Sequence, residues 1–155
     1  PSMLIALRAA GVTSQVIGSD GIDSPTTFSL GDVGEDVVFT TAGFAIKGSP
    51  LEAFDKAFEQ KYGSAPESIY SAVGYDLIKV IEAAVIVAGS TDPTKIRDAM
   101  ADLENVQGAT GLITYKGTNG MPVRQVSLIR VKDGGRELVG QPSPDANLIP
   151  APRMQ

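Results

Sequence analysis

The sequence predicts an α/β fold, and three observations predict it. Two runs rich in β-branched residues, 13–18 and 36–41, lie in the first third of the chain. Apolar residues then recur at helical spacing between residues 50 and 104. Helix-start pairs, Ser49-Pro50 and Asp92-Pro93, and stop glycines, Gly63 and Gly89, bracket those stretches.

Ser2 to Ala10 reads as a helix, because Leu4 and Leu7 share a face and Gly11 supplies a stop. No strand precedes it, so the chain is expected to open in the middle of a fold. Thr13 to Gly18 is a strand that runs into the turn Gly18-Ser19-Asp20-Gly21. Ser24-Pro25 opens a short helix over 26–30. Asp36 to Thr41 is a second strand, parallel to the first, whose continuous apolar middle suits cover on both faces.

Ser49-Pro50-Leu51-Glu52 is a capping box, after which Leu51, Phe54 and Phe58 form one apolar stripe up to Gly63. The next helix starts at 65–67 and runs to about Ala88. It is apolar around most of its circumference and is expected to be largely buried. Asp76, Lys79 and Glu82 read as its one solvated strip rather than as a catalytic cluster. A third helix, 94–104, faces inward with Ile96, Met100 and Leu103. The pattern then turns to β: a strand over 111–115, a turn at 117–120 centred on Asn119-Gly120, and a long strand over 122–132 with mixed faces. Asp133-Gly134-Gly135 turns the chain into a last strand, 136–139. Residues 141–155 are Pro-rich and aperiodic, a tail without regular structure. The helices outnumber the strands available to cover, so the sheet is expected to be incomplete.

Composition excludes several functions. The 155 residues carry a net charge of −5 with no basic stripe, which argues against nucleic-acid binding. Cys and His are both absent, which removes thiolate nucleophiles, Cys/His zinc sites, His bases and a Ser-His-Asp triad. The longest apolar stretch, 77–88, is broken by Lys79 and Glu82, so nothing in it spans a membrane. The chain opens on Pro1-Ser2-Met3 and an apolar helical run, so no signal peptide is expected within it.

In an open α/β sheet, ligands bind beyond the carboxyl ends of strands. Asp20, flanked by Gly18, Ser19 and Gly21, offers a carboxylate there to a cationic group with little steric obstruction. The same residue type also caps turns and helix starts, and local sequence leaves both roles open.

The order of elements resembles the C-terminal half of type I periplasmic binding proteins, the branched-chain amino-acid group of ABC-transporter receptors. The stretches that carry the resemblance are 16–21, 34–41, Phe54 to Gly63 ahead of Pro66, Gly74-Tyr75-Asp76, Ala88 to Pro93 with 96–100, and 108–114. It covers residues 1 to about 140 and rests on order and spacing rather than on one motif.

The resemblance implies two three-layer α/β/α lobes, joined by three crossing strands and closing on a small ligand, with the fold incomplete in this chain. Residues 1–44 fall in the C-terminal lobe, 45–128 in the N-terminal lobe, 129–140 in a return strand, and 141–155 in the tail. It implies an extracytoplasmic receptor, periplasmic or extracellular and with or without a lipid anchor, that performs no chemistry. Such a receptor hands an amine-bearing acid, a branched-chain or other aliphatic amino acid, to a membrane permease. The implied partners are that permease and either the missing N-terminal half or a swapped dimer; no cofactor, metal or nucleic acid is implied.

Asp20 matches the acidic position that receives the ligand's α-ammonium, framed by Gly18, Ser19 and Gly21. It is shorter than the Glu found there, so the ligand or a water must fill the difference. Tyr70 matches an aromatic position that lines the side-chain pocket, while its own context also fits core packing near a helix start. Asp23, two residues past the turn, is the natural control: its Asn variant is expected to bind nearly as wild type. Two other functions remain open: a ligand-sensing regulatory module of the same fold, for amides or amino acids, and an enzyme using Asp20 as a general base. The lack of His, Cys and a phosphate-binding glycine signature counts against the enzyme.

Overall fold

Two separate sheets divide the chain, and helices pack against each. The computed structural model describes residues 1–118, 120–142 and 145. Helix α1 (Ser2–Ala9) ends where Gly11, at φ 80°, turns the chain back and the Val12 amide reaches the Leu7 carbonyl. Strand β1 (Ile17–Gly18) lies parallel to β2 (Val38–Thr41), with the short helix α2 (Pro25–Phe28) between them. Helices α3 (Pro50–Tyr62), α4 (Tyr70–Ala88) and α5 (Pro93–Ala101) follow. Strands β3 (Val106–Gly108), β4 (Gly111–Thr114) and β5 (Val123–Arg124) make an antiparallel three-stranded sheet in that order. Strands β6 (Ser127–Lys132) and β7 (Gly135–Gly140) return to the first sheet, whose order is β1-β2-β6-β7.

Local chemistry explains the helix ends. Ser24, Ser49 and Asp92 each accept an N-terminal amide, from Thr27, Glu52 and Lys95, and each precedes a proline. Glu52 answers Ser49 by accepting the Gly48 amide at 2.7 Å, which completes a reciprocal cap. Gly63 and Gly89 close α3 and α4 in left-handed conformation, at φ 80° and 55°. Asp133 and Gly134, both at positive φ, make the two-residue β6–β7 turn.

The first sheet carries its own core of Leu4, Val37, Phe39, Ile129 and Val131, with Phe28 stacked on Phe39 at 6.2 Å. Full burial of a side chain of this size contributes about 1.5–3 kcal/mol. A second cluster joins Leu51 of α3 to Ile69, Ala72 and Ala109. A third joins Val80 and Ala84 of α4 to Leu103 and Ile113, with Ile96 and Met100 packed against it, so α5 faces inward as its spacing predicts. The chain crosses between the two units twice among the described residues, at 42–49 after β2 and at 125–126 between β5 and β6.

Several expectations need correction. The run 13–18 forms a ladder only at Ile17 and Gly18. The second long helix starts at Tyr70, with no side-chain cap at Ile69, rather than at 65–67. Residues 122–132 are two strands in two sheets rather than one, because the chain leaves the small sheet after Arg124 to pair with β2 from Ser127. The short strand β3 had no sequence signal, since Gln107 and Gly108 are weak strand formers.

The largest correction concerns α4. Asp76 is not on a solvated strip; it is 2% exposed and in line with buried Ala72, Val80 and Ala84 one turn apart. The opposite face, with Leu77 at 56% and Ile78 at 61% exposed, finds no cover among the described residues. The expected burial of α4 on nearly all sides therefore fails here. Asn119 of the predicted 117–120 turn, and most of the predicted 141–155 tail, lie outside the described residues.

Candidate ligand site between the two sheets

The turn after β1 is a 3₁₀ segment, Asp20–Ile22, and backbone carbonyls close it: Ser19 accepts from Ile22 at 3.0 Å and Asp20 accepts from Asp23 at 2.9 Å. The Asp20 carboxylate makes no cap bond here. It stays exposed at the carboxyl end of β1. Ile22 folds back over Gly18 so closely that a Cβ there would collide with its side chain, which fixes the turn against the first core. Gly21 has open space around it, and Ser19 is extended and exposed, so neither is sterically compelled.

Tyr70, half-exposed at the first turn of α4, faces this carboxylate from the other unit. Partial burial pushes the Tyr70 hydroxyl above its ordinary value of 10.0, and the nearby carboxylates of Asp20 and then Asp23 push it further. The structure thus brings together the two side chains that sequence singled out. Tyr70 is outside the buried clusters, which sets aside the core-packing alternative.

Asp23 serves the fold. It is 3% exposed, accepts from Thr41 Oγ1 at 2.7 Å, and pairs with Arg136 of β7 at 3.3 Å. Arg136 also lies over the Phe28 ring at 5.7 Å. Behind this pair a small pocket of about 110 Å³ separates β7 from α3, with Arg136, Asp55 and Ser68 among its lining. Burial raises the Asp55 carboxyl above its ordinary value, and Arg136 offsets only part of that rise. Sequence reasoning missed both Asp55 and Arg136. Neither sits in a motif, and only the return of β7 to the first sheet brings them near each other.

Asp76 forms a third polar centre, at the crossings. Its carboxylate accepts the Ala109 amide at 2.5 Å, the Thr110 amide at 3.1 Å, and the Thr110 hydroxyl. These amides form the tip of the β3–β4 hairpin and would otherwise be buried without partners. Gly108 permits the approach, since a Cβ there would stand 2.5 Å from the Asp76 carboxylate. Arg124 sits 3.9 Å from Asp76, donates to Thr110, and reaches the Ala42 carbonyl at 3.4 Å. One guanidinium therefore ties the first crossing, at Ala42, to the β3–β4 hairpin and to α4. Among the described residues no group of three or more metal-ligating side chains occurs, and no helix is long and apolar enough to cross a membrane.

A family model described as periplasmic binding protein matches residues 1–136. The chain belongs to the periplasmic binding protein family. Its fold is similar to that of a leucine binding protein, LivK, from Thermotoga maritima, with 28% identity and a TM-score of 0.79 over 92% of this chain and 41% of that one. It is also similar to a putative branched-chain amino acid ABC transporter protein from Rhodospirillum rubrum, with 29% identity and a TM-score of 0.70 over 88% and 40% of the two chains. A solute binding protein from R. palustris, solved in complex with benzoate, shares the fold at 18% identity and a TM-score of 0.74 over 98% and 42%. No curated protein matches the chain. The chain spans about two-fifths of the length of these solved members of the family. The type I fold expected from the sequence is thus present in part, and the family members it resembles are substrate-binding proteins.

Proposed function

We propose that this chain supplies part of both lobes that line the ligand cleft in an extracytoplasmic solute-binding receptor of an ABC transporter. The ligand is a small amine-bearing acid, a branched-chain or other aliphatic amino acid, and the receptor performs no chemistry on it. Residues 1–44 and the return strands from Ser127 supply one lobe, and residues 45–126 the other. The observation that carries the reading is the Asp20 carboxylate, unused by its own turn, facing Tyr70 from the opposite unit. A carboxylate in a closing cleft holds an ammonium through charge-assisted hydrogen bonds, and the Tyr ring adds apolar area beside it. Gly18, Ser19 and Gly21 frame that carboxylate. The partners are a membrane permease and, over the open face of α4, the remainder of the two-lobe fold or a swapped dimer. The location is periplasmic or extracellular, with or without a lipid anchor.

The test is Asp20→Asn in the intact receptor, titrated calorimetrically with leucine, isoleucine and valine. Removing one partner of a desolvated charge pair costs about 2–5 kcal/mol, so affinity should fall on the order of 30-fold or more. The melting temperature should hold, because the side chain is exposed. Wild-type affinity in the variant, or a ligand without an amino group, refutes the assignment.

A further inference from the structure

The pocket between β7 and α3 faces two opposite charges across a gap. Arg136 enters from the first sheet and Asp55 from α3, and the pocket measures about 110 Å³. Arg136 gives one Nη to Asp23 at 3.3 Å, and a guanidinium has five N–H donors. Its ion-pair partner within 4.0 Å is Asp23, not Asp55. The Asp55 carboxylate accepts no hydrogen bond from any described side chain or amide. Burial works against its charge, and the more distant guanidinium relieves that only in part. Phe44, Leu51 and Ile69 supply apolar wall, and Ser68 adds a hydroxyl. A group that fills this gap well must donate to Asp55 and accept from Arg136. An ammonium and a carboxylate on one carbon meet both charges at once. The volume holds several heavy atoms but no long side chain in addition.

We propose that this pocket is a second ligand subsite, distinct from Asp20 and Tyr70, that binds a small zwitterion: glycine, or the head group of a larger amino acid. Asp55 takes the ammonium, Arg136 the carboxylate, and Ser68 a remaining oxygen. This inference goes beyond the role given to Asp20 and does not depend on it.

The experiment is an amide NMR titration of the ¹⁵N-labelled chain with glycine. Saturable shifts are expected at the pocket amides of Gly43, Ala45 and Ser68, with half-saturation in the millimolar range. Methylammonium and propionate, each matching half of the site, should bind at least about tenfold more weakly, as should glycine to Asp55→Asn. Asp20→Asn should leave the glycine titration unchanged. Amide shifts remote from the pocket report that each variant is folded. The proposal is overturned by any of four results: no saturable shift with glycine, which leaves the pocket to water; equal binding of methylammonium or propionate; an unaltered titration in Asp55→Asn; or loss of the glycine shifts in Asp20→Asn. The last result would move the head group to Asp20 and leave the role of that residue intact.

Discussion

Replacing Asp76 by Ala strips the crossing region of its central acceptor. Two backbone amides, of Ala109 and Thr110, and the Thr110 hydroxyl lose their partner together, and Arg124 loses its nearest carboxylate. Breaking a buried charged network by removing one member costs about 3–5 kcal/mol. Counting orphans gives a similar figure, since each buried N–H left unpaired costs about 1–3 kcal/mol. Asp76→Asn should fall between wild type and Ala. Its carbonyl oxygen satisfies one amide, but its NH₂ must then face the other. In urea, with a slope of about 1–3 kcal/mol per molar, the Ala variant's midpoint should drop by about 2 M. Its Tm should fall by roughly 6–20 °C, at about 2–4 °C per kcal/mol for a chain of this size. Circular dichroism across the transition measures both. A midpoint within about 0.3 M of wild type would show that the hairpin amides find water or another acceptor, and the reasoning would fail.

Asp23→Asn should destabilise the chain by about 1–3 kcal/mol in the same urea assay, because its buried carboxylate serves Thr41 and Arg136; an unchanged midpoint would contradict that. Asp55→Asn should raise the Tm at pH 7. A carboxyl whose folded value is raised costs stability once it ionises, so wild type and variant should converge as pH falls below about 4, and a Tm difference independent of pH would oppose this. The uncovered apolar face of α4 should make the purified chain associate, with itself or with a co-purifying fragment. Light scattering that gives a clean 16.1 kDa monomer with a cooperative melt would rule that out.

What sequence showed well was local. The caps at Ser24, Ser49 and Asp92 and the stops at Gly63 and Gly89 depend on residues within one turn of each other, and all five are present. Helical spacing also aimed α5 correctly. For α4 the spacing was ambiguous, because apolar residues lie on every side and periodicity cannot say which side meets the rest of the chain. Asp76 was read with Lys79 and Glu82, its near neighbours in charge. The better signal was the four-residue row Ala72, Asp76, Val80 and Ala84, small or apolar everywhere except at the aspartate. The candidate site divided in the same way. Asp20 was visible from its turn and Tyr70 from its place in the element order. Asp55 and Arg136 meet only because β7 folds back beside β6, a pairing that no local pattern announces. The break at 125–126 was hidden because the chain remains extended on both sides of it.

The first sheet is assembled from two segments far apart in sequence, 17–41 and 127–140, with the helical unit inserted between them. Val38 must wait for Arg130, and Thr41 for Ser127, before β2 gains its antiparallel neighbour. During synthesis the inserted segment, 50–124, leaves the ribosome as one continuous stretch and can find its own contacts early. The parallel pair β1–β2 meanwhile stays open along the β2 edge, with Val38 and Phe39 unprotected until β6 emerges. Long-range pairing of this kind folds slowly, and an open strand edge attracts other chains while it waits. A stall or premature stop just before Ser127 would therefore leave the inserted unit with its contacts made but the first sheet unsealed. Nascent copies of this protein are most exposed to aggregation at that point.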